Sequence, residues 1–442
     1  MTMFYKWGAG RHPDHPTVTH AHDEYLVTES GAELIDAAAG AAVVNFGHSL
    51  EGVDEVMARQ ADRVGYVSTS YFTTPAVESL ADTLASMAPG SLNNAFLSNS
   101  GSEAVETAIK LARDYHVARG DHARETVIGR WQSYHGATLG ALSASGNTGR
   151  RTTYKPLLRN WPKIPPAYPY RWPHEGTPTE QAVAAAAELE RLIRQEGPET
   201  VAAFIAEPVS GSSIPAAHPH PAYYEEVRRI CDEYGVLFIA DEVMVGFGRT
   251  GRLFACDHFD VVPDLMALGK GIAAGYAPIS ATMVRDRVVE ALEDADQPFY
   301  HGHTFSGNPV SSAVADHVLE LYTPALLEGV RERGDRLAAG LESLAESPIV
   351  GEVRQIGLQI GIELVADRET KAPFDPDAEV RTRVFDRTFE NGVYVYPGGG
   401  SVDGHRGDHL MLAPPLNSSD AALDRIAGAT VEAVDHVADR YI

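Results

Sequence analysis

Cysteine is almost missing: Cys231 and Cys256 are the only two in 442 residues. Two cysteines make neither a disulfide framework nor a cysteine-rich zinc site, which points to a reducing, cytoplasmic setting. Positive charge is also short, with 36 basic against 61 acidic residues and a formal net charge of -25. Nucleic acids and anionic membranes both require basic patches, so neither is an expected partner. No apolar run approaches the roughly 20 residues needed to cross a bilayer. The run "AAAGAAVVNF" is too short and too small-sided. The start "MTMFYKWGAGRHPDHP" has no basic segment followed by an apolar core, so no secretory signal is expected. Repeats and low-complexity segments are lacking as well.

What remains is a chain that is 44% hydrophobic and long enough for a large core divided among two or three units. Helical patterns alternate with short apolar runs over most of the length, as in α/β proteins. "SGSEAVETAIKLARDYH" places Val105, Ala108, Ile109 and Ala112 at helical spacing. "TVIGRW", "AAFIAEP", "VLFIADEV" and "DLMALGK" read as buried strands, each meeting polar residues at its C-terminal end. That is where open α/β sheets form their ligand crevice. Between Pro156 and Pro178, proline and aromatics break the pattern, which predicts an irregular surface excursion. "LLEGVRERGDRLAAGLESL" then opens a separate C-terminal unit with a helix. The expected division is an N-terminal segment over 1–70, a large domain over 71–325 and a small domain over 326–442.

One of only six lysines, Lys270, lies between Gly269 and Gly271 in "LMALGKGIAAGYAPISA", a run from Leu265 to Ala281 that holds no acidic residue. Such surroundings suit an amine that must be unprotonated and reachable by a small molecule. Asp241 ends the run "VLFIAD" 29 residues earlier. Together they suggest pyridoxal phosphate. A carboxylate keeps the cofactor's ring nitrogen protonated, and Lys270 holds its aldehyde as a Schiff base and shuttles a proton. Ser100, Gly101 and Ser102 precede a helix, where backbone N–H groups and hydroxyls make an anion site. The same residues also read as an ordinary helix cap. Thr304, in "HGHTFSGNP", offers another hydroxyl for a phosphate. Tyr134, in "WQSYHGAT", is either a stacking partner for the ring or a buried tyrosine with a satisfied hydroxyl.

The order Ser-Gly-Ser-Glu, Tyr-His-Gly, Ala-Glu-Pro, "FIADEVMVGFGRTG", "LGKG" and "HTFSGNP" resembles the class III pyridoxal-phosphate aminotransferases, over roughly residues 20 to 440. The resemblance is to the ω-amine:pyruvate type. It implies fold type I: a large domain with a mostly parallel seven-stranded sheet between helices, and a small α+β domain built from both termini. It also implies Lys270 as the Schiff-base lysine, Asp241 on the ring nitrogen, and Val243 and Tyr134 on opposite ring faces. Ser100, Gly101 and Ser102 are implied on the phosphate, with His135 and Glu207 beside the cofactor. A homodimer is implied, because Thr304 then reaches the phosphate bound by the neighbouring chain. Arg249 reads as structural.

Departures from the family narrow the substrate. Ornithine- and GABA-type relatives carry a second glutamate shortly after Glu-Pro; here "EPVSGSS" has Ser212 at about that point. ω-Amine:pyruvate relatives supply a mobile arginine three residues before Gly-Asp. This chain has Gly404 there and Arg406 next to Gly407. Arg406 is therefore either the substitute that binds the substrate carboxylate or a structural residue. Ala42 stands near a position where such relatives often carry tryptophan, which predicts a wider pocket with Tyr71 and Phe72 as walls. The expected substrate is accordingly bulkier than β-alanine.

The expected reaction is transamination in two steps, from a primary amine or ω-amino acid to a keto acid such as pyruvate. An aminomutase or an amino-acid racemase would use the same lysine and aspartate. A decarboxylating enzyme is a further alternative, and a pyridoxal-phosphate-binding regulator lacks the expected basic DNA-binding segment. His12, His15, His20 and His22 crowd one short stretch, but Pro13 interrupts them and no ordered spacing follows. They read as a solvated or subunit-capping arm, and no metal site is expected.

Overall fold

Strands buried on both faces read as near-continuous apolar runs, and three short runs fit this, one of them ending in Asp241. Val201–Ala206, Leu237–Asp241 and Leu265–Leu268 are buried throughout and lie side by side in parallel. The computed structural model describes residues 15–441. These three strands form the middle of a seven-stranded sheet. Its order runs Asn94–Ser98, Ser280–Val284, Leu265–Leu268, Leu237–Asp241, Val201–Ala206, Thr126–Arg130, Lys163–Ile164. Ser280–Val284 is antiparallel to both neighbours, and every other pairing is parallel.

The period of two along each strand divides its side chains between two helical layers. Ala203, Ile205, Leu237 and Ile239 pack with Val105, Ala108 and Ala112 of the helix Gly101–Ala118. Phe204, Ala206, Phe238 and Ala240 face the opposite way. They join Leu189 and Ile193 of Pro178–Glu196 and Val227 and Ile230 of Ala222–Tyr234. The helical stripe read from the sequence is thus the buried face of Gly101–Ala118. Sheet hydroxyls pin that helix: Ser280 Oγ donates to Ser100 O and Thr282 Oγ1 to Ala104 O, each at 2.8 Å.

The helix Pro324–Ala339 leads into an antiparallel sheet in the order Val350–Ile356, Gln359–Leu364, Asp408–Leu412, Tyr396–Gly399. A third sheet joins the two ends of the chain. Val18–His22, Tyr25–Thr28 and Glu33–Asp36 continue into Val393–Tyr394, which pairs in parallel with Glu33–Asp36. Arg249 is fully buried, donating to Leu358 O at 3.0 Å, Pro414 O at 2.6 Å and Asn45 Oδ1 at 3.1 Å. It ties the central sheet's loops to segments from both ends of the chain.

The proline-rich stretch is largely irregular and exposed or half-buried, as expected, but part of it is built into the core. Lys163–Ile164 forms the last strand of the main sheet, and Ile164, Ala167 and Tyr168 are buried. Arg354 Nη1 donates to Tyr168 Oη at 2.9 Å, while Arg171 pairs with buried Glu363 at 3.1 Å. Partners nearly two hundred residues away draw Tyr168 into the core, while the prolines around it stay exposed or half-buried. Of the N-terminal histidines, His12 lies outside the described residues. His20 and His22 belong to Val18–His22, with the His22 ring 3.4 Å from the Asp23 and Glu33 carboxylates.

Candidate active site

Strand register decides which polar residues meet at the sheet's edge. Ala206 pairs with Ala240 and Asp241 with Ala267. The next residue after the first strand is therefore Glu207 beside Asp241, and Lys270 stands just past the end of Leu265–Leu268. All three line one cavity of about 190 Å³, together with Gly101, Ser102, Tyr134, His135 and Val243. Residues separated by up to 169 positions in the chain converge because parallel strands deliver their C-terminal ends to one side.

Lys270 opens a 3-10 turn with φ at 46°, in the left-handed region that a non-glycine side chain rarely adopts. Strain of this kind persists where surrounding structure over-determines a functional position. Burial pushes its amine pKa down to about 8, and the carboxylates of Asp241 and Glu207 oppose part of that shift. Only the unprotonated amine is a nucleophile. Its reactivity toward an acylating reagent should therefore rise as pH climbs through about 8 and then level off. An ordinary lysine keeps gaining to near 10.4. Competitive labelling read by mass spectrometry across pH 6–11 would check this; an Lys270 midpoint of ~10 or above would contradict it.

Asp241 and His135 are both buried, and His135 Nδ1 donates to Asp241 Oδ2 at 2.7 Å. The other carboxylate oxygen accepts from Val243 N at 3.1 Å. Glu207 is fixed from several sides. Its Oε2 accepts from Tyr134 N at 3.3 Å and its Oε1 from Gly211 N at 3.0 Å, while Tyr224 Oη donates to its carbonyl at 2.9 Å. Burial raises the Glu207 pKa, with His135 opposing and Asp241 reinforcing the shift. Burial raises that of the Tyr134 hydroxyl too.

The first turn of Gly101–Ala118 faces the same cavity and leaves backbone N–H groups without helical partners. Ser100 is the cap, its Oγ accepting from Glu103 N at 3.3 Å. Ser102 Oγ accepts from Ala137 N at 3.0 Å, which leaves its own proton for another acceptor. Glycines make the close approach possible. A Cβ on Gly101 would sit 2.6 Å from Val243 Cγ1, and one on Gly136, at φ +142°, 2.6 Å from Ser102 Oγ. Two further features fit an aromatic phosphorylated aldehyde such as pyridoxal phosphate. His135 Nε2 is buried with no hydrogen-bond partner, and the amine of Lys270 faces the same space as the Asp241 carboxylate.

Other expected site residues lie elsewhere in a single chain. Thr304 borders a second hollow of about 940 Å³ that shares no residue with the cavity. Tyr71 and Phe72 are 84% and 66% exposed. Ala42 does not line the cavity within a single chain: it is buried with Met411 and Ala413, and Met244 and Tyr396 pack against that cluster. Arg406 is held in an ion pair within its own turn. Its Nε pairs with Asp403 Oδ2 at 2.7 Å in an exposed turn. Met244, Ser212 and Gly136 were missed as lining residues, although Met244 and Gly136 adjoin motifs already singled out.

The aminotransferase class-III family model matches residues 8–434. The uncharacterized aminotransferase YodT of Bacillus subtilis is 39% identical over 425 residues, covering 95% of each chain. A putrescine–pyruvate aminotransferase of Pseudomonas aeruginosa is 34% identical over 427 residues, covering 95% of this chain and 91% of its own. Among solved structures, the ω-transaminase from Pseudomonas jessenii in complex with PMP superposes with a TM-score of 0.90 at 31% identity. That match covers 96% of this chain and 93% of the other.

Proposed function

The chain belongs to the class-III aminotransferases, and from that premise we propose that it moves the amino group of a primary amine or ω-amino acid to a keto acid, pyruvate foremost, in two half-reactions. The observation that carries the reading is Lys270, with its depressed pKa, in one cavity with Asp241, Glu207 and a helix N-terminus. The similarity to a putrescine–pyruvate enzyme supports pyruvate as acceptor.

Pyridoxal phosphate, the cofactor of this family, supplies when bound an aldehyde for amines and a ring that accepts the electron pair left by deprotonation. The chain supplies the rest. Lys270 Nζ is the attachment point and, once freed, takes a proton from the substrate carbon bearing nitrogen and returns it. Asp241 presents a carboxylate already oriented by His135 Nδ1 and Val243 N, so it can accept a ring N–H without reorganising. Gly101, Ser102 and the Ser102 hydroxyl would hold the phosphate, with Tyr134, Val243 and His135 enclosing the ring. Glu207 keeps the Tyr134 and Gly211 backbones in place.

The hollow that holds Thr304 is lined by Tyr66 and Tyr300, with Phe305 edge-on to the Tyr66 ring at 5.9 Å, and the three are 48%, 89% and 59% exposed. Isolated aromatics on a surface need no explanation, but contiguous ones mark an interface. A second copy of the chain covers them in this reading, bringing Thr304, Tyr71 and Phe72 to the neighbouring cavity. Sedimentation equilibrium at micromolar concentration should give a dimer or a larger even oligomer; a monomer with full activity would refute the shared site.

The reaction is tested with a panel of amines, each incubated with the holoenzyme and pyruvate. Alanine and the carbonyl product should form in equal amounts, with parallel double-reciprocal plots. Isomerised or racemised substrate formed without pyruvate consumption would move the enzyme to a different reaction.

A further inference from the structure

The loop that follows Glu207 is held from outside the cavity by the antiparallel sheet. Alternation along Gln359–Leu364 puts Gln359, Gly361 and Glu363 on one face. Gly361 pairs with Arg354 on one side and Met411 on the other, and Glu363 pairs with His409, so the face spans three strands. The loop touches down at the glycine: a Cβ on Gly361 would come within 2.1 Å of Pro215 O. Around that point three side chains donate to three loop carbonyls. Gln359 Nε2 reaches Ser210 O at 3.1 Å, His409 Nε2 reaches Ser212 O at 3.0 Å, and Arg354 Nε reaches Pro215 O at 3.0 Å. His409 passes Gly398 to get there, since a Cβ on Gly398 would sit 2.1 Å from its Nε2.

One of these contacts leads directly into the cavity. Ser210 O and Gly211 N belong to the same planar peptide group. Gln359 holds the oxygen of that plane, and its N–H donates to Glu207 Oε1 at 3.0 Å. The other Glu207 oxygen accepts from Tyr134 N at 3.3 Å, and Glu207, Tyr134 and Ser212 line the cavity with Lys270. A rigid plane cannot tilt at one end alone, so a shift at Gln359 is a shift at the carboxylate. Hydrogen bonds in such a chain also polarise one another. Packing alone does not explain these residue types. Gln359 and His409 are fully buried, yet Gln359 Oε1 and His409 Nδ1 have no hydrogen-bond partner among the described residues. That loss disfavours polar side chains at a place that only needs filling.

We infer that Gln359 is a positioning residue for Glu207 and His409 one for Ser212, so that the antiparallel sheet sets part of the cavity wall. The inference rests on the transaminase reading above for what the cavity does.

The test compares wild type with Gln359→Met, Glu207→Gln, the double variant, His409→Leu, His409→Gln and Gln355→Met, all as holoenzymes. Gln355 lies in the same sheet but bonds Asp335 and Gly357 O instead of the loop. The measurements are hydrogen exchange over residues 207–217, the Kd for pyridoxal phosphate, and the rate and apparent Kd of an amine half-reaction. Gln359→Met should speed exchange at Gly211. It should also weaken cofactor binding and slow the half-reaction by about 3- to 10-fold each, the range for one neutral hydrogen bond. The double variant should be no worse than Glu207→Gln alone, because both changes act through one carboxylate. His409→Leu should instead raise the apparent amine Kd, since Ser212 lines both the cavity and an adjoining polar hollow of about 550 Å³. His409→Gln keeps a donor and should recover part of that loss, and Gln355→Met should match wild type throughout. If Gln359→Met does not fold, Gln359→Leu takes its place. Wild-type exchange and rate in the Gln359 variant, losses that multiply in the double variant, equal losses in Gln355→Met, or an unchanged amine Kd in His409→Leu would overturn the inference. If wild type transfers no amino group, yet exchange at Gly211 and cofactor affinity still depend on Gln359 through Glu207, the transaminase reading fails and the positioning role stands.

Discussion

Lys270→Ala should lower turnover by at least about 10⁴-fold, the upper range for loss of a positioned proton-transfer group. The mechanism requires one amine to do two jobs: hold the cofactor between turnovers and move the substrate proton. No neighbour can replace it. Asp241 and Glu207 share the cavity, but the first is engaged by His135 and Val243 and the second by Tyr134 and Gly211. The fold should survive, because removing a costly buried amine leaves no partner stranded. The variant should therefore purify as soluble protein, lose cofactor on dialysis, and regain some proton transfer when a small amine is added. Activity within tenfold of wild type would mean that Lys270 is not the reactive amine.

Asp241→Asn should lower kcat by about 10²–10³-fold, comparable to removing one pre-oriented electrostatic stabiliser. Asparagine keeps the size of aspartate and an oxygen for His135 Nδ1–H, so stability should change little. Asp241→Ala should cost about 1–3 kcal/mol in addition, since His135 Nε2 already lacks a partner and Nδ1 would lose its own. The two variants separate chemistry from structure. Because the Asp241 carboxylate raises the Lys270 pKa, Asp241→Asn should also move the labelling midpoint of Lys270 below about 8. The kcat of the holoenzyme, with urea unfolding and the labelling profile of the cofactor-free protein, would check all three. A kcat within a few-fold of wild type would remove Asp241 from the reaction.

The reactive centre was legible because it depends on local patterns. Asp241 ends an apolar run that reads as a buried strand, and Lys270 sits among small apolar residues with no acidic residue in the run. The helix after Ser100 was equally readable, from its cap and its apolar stripe. Features created by distant partners were not. Ser280–Val284 carries inward-facing Ser280 and Thr282, whose hydroxyls are satisfied only by helix carbonyls about 180 residues away. Tyr168 and Ile164 became core through Arg354 and a neighbouring strand that no local pattern announces. Arg150 stands in "SGNTGRR", a stretch with the composition of an exposed loop, and only the fold lays it over Tyr134. Arg406 stands beside Gly407, and in the single chain it pairs with Asp403, three residues away in the same turn.

The most direct test is a single half-reaction followed by absorbance, using purified holoenzyme with no keto acid and a primary amine added in excess. The visible band of the lysine-bound cofactor should decay, stay low, and return only when pyruvate is supplied, with one carbonyl product released per site. A band that recovers unaided while the substrate is isomerised or its α-proton exchanged would contradict transamination. A chain that shows no such band after pyridoxal phosphate is added would contradict the role given to Lys270 itself.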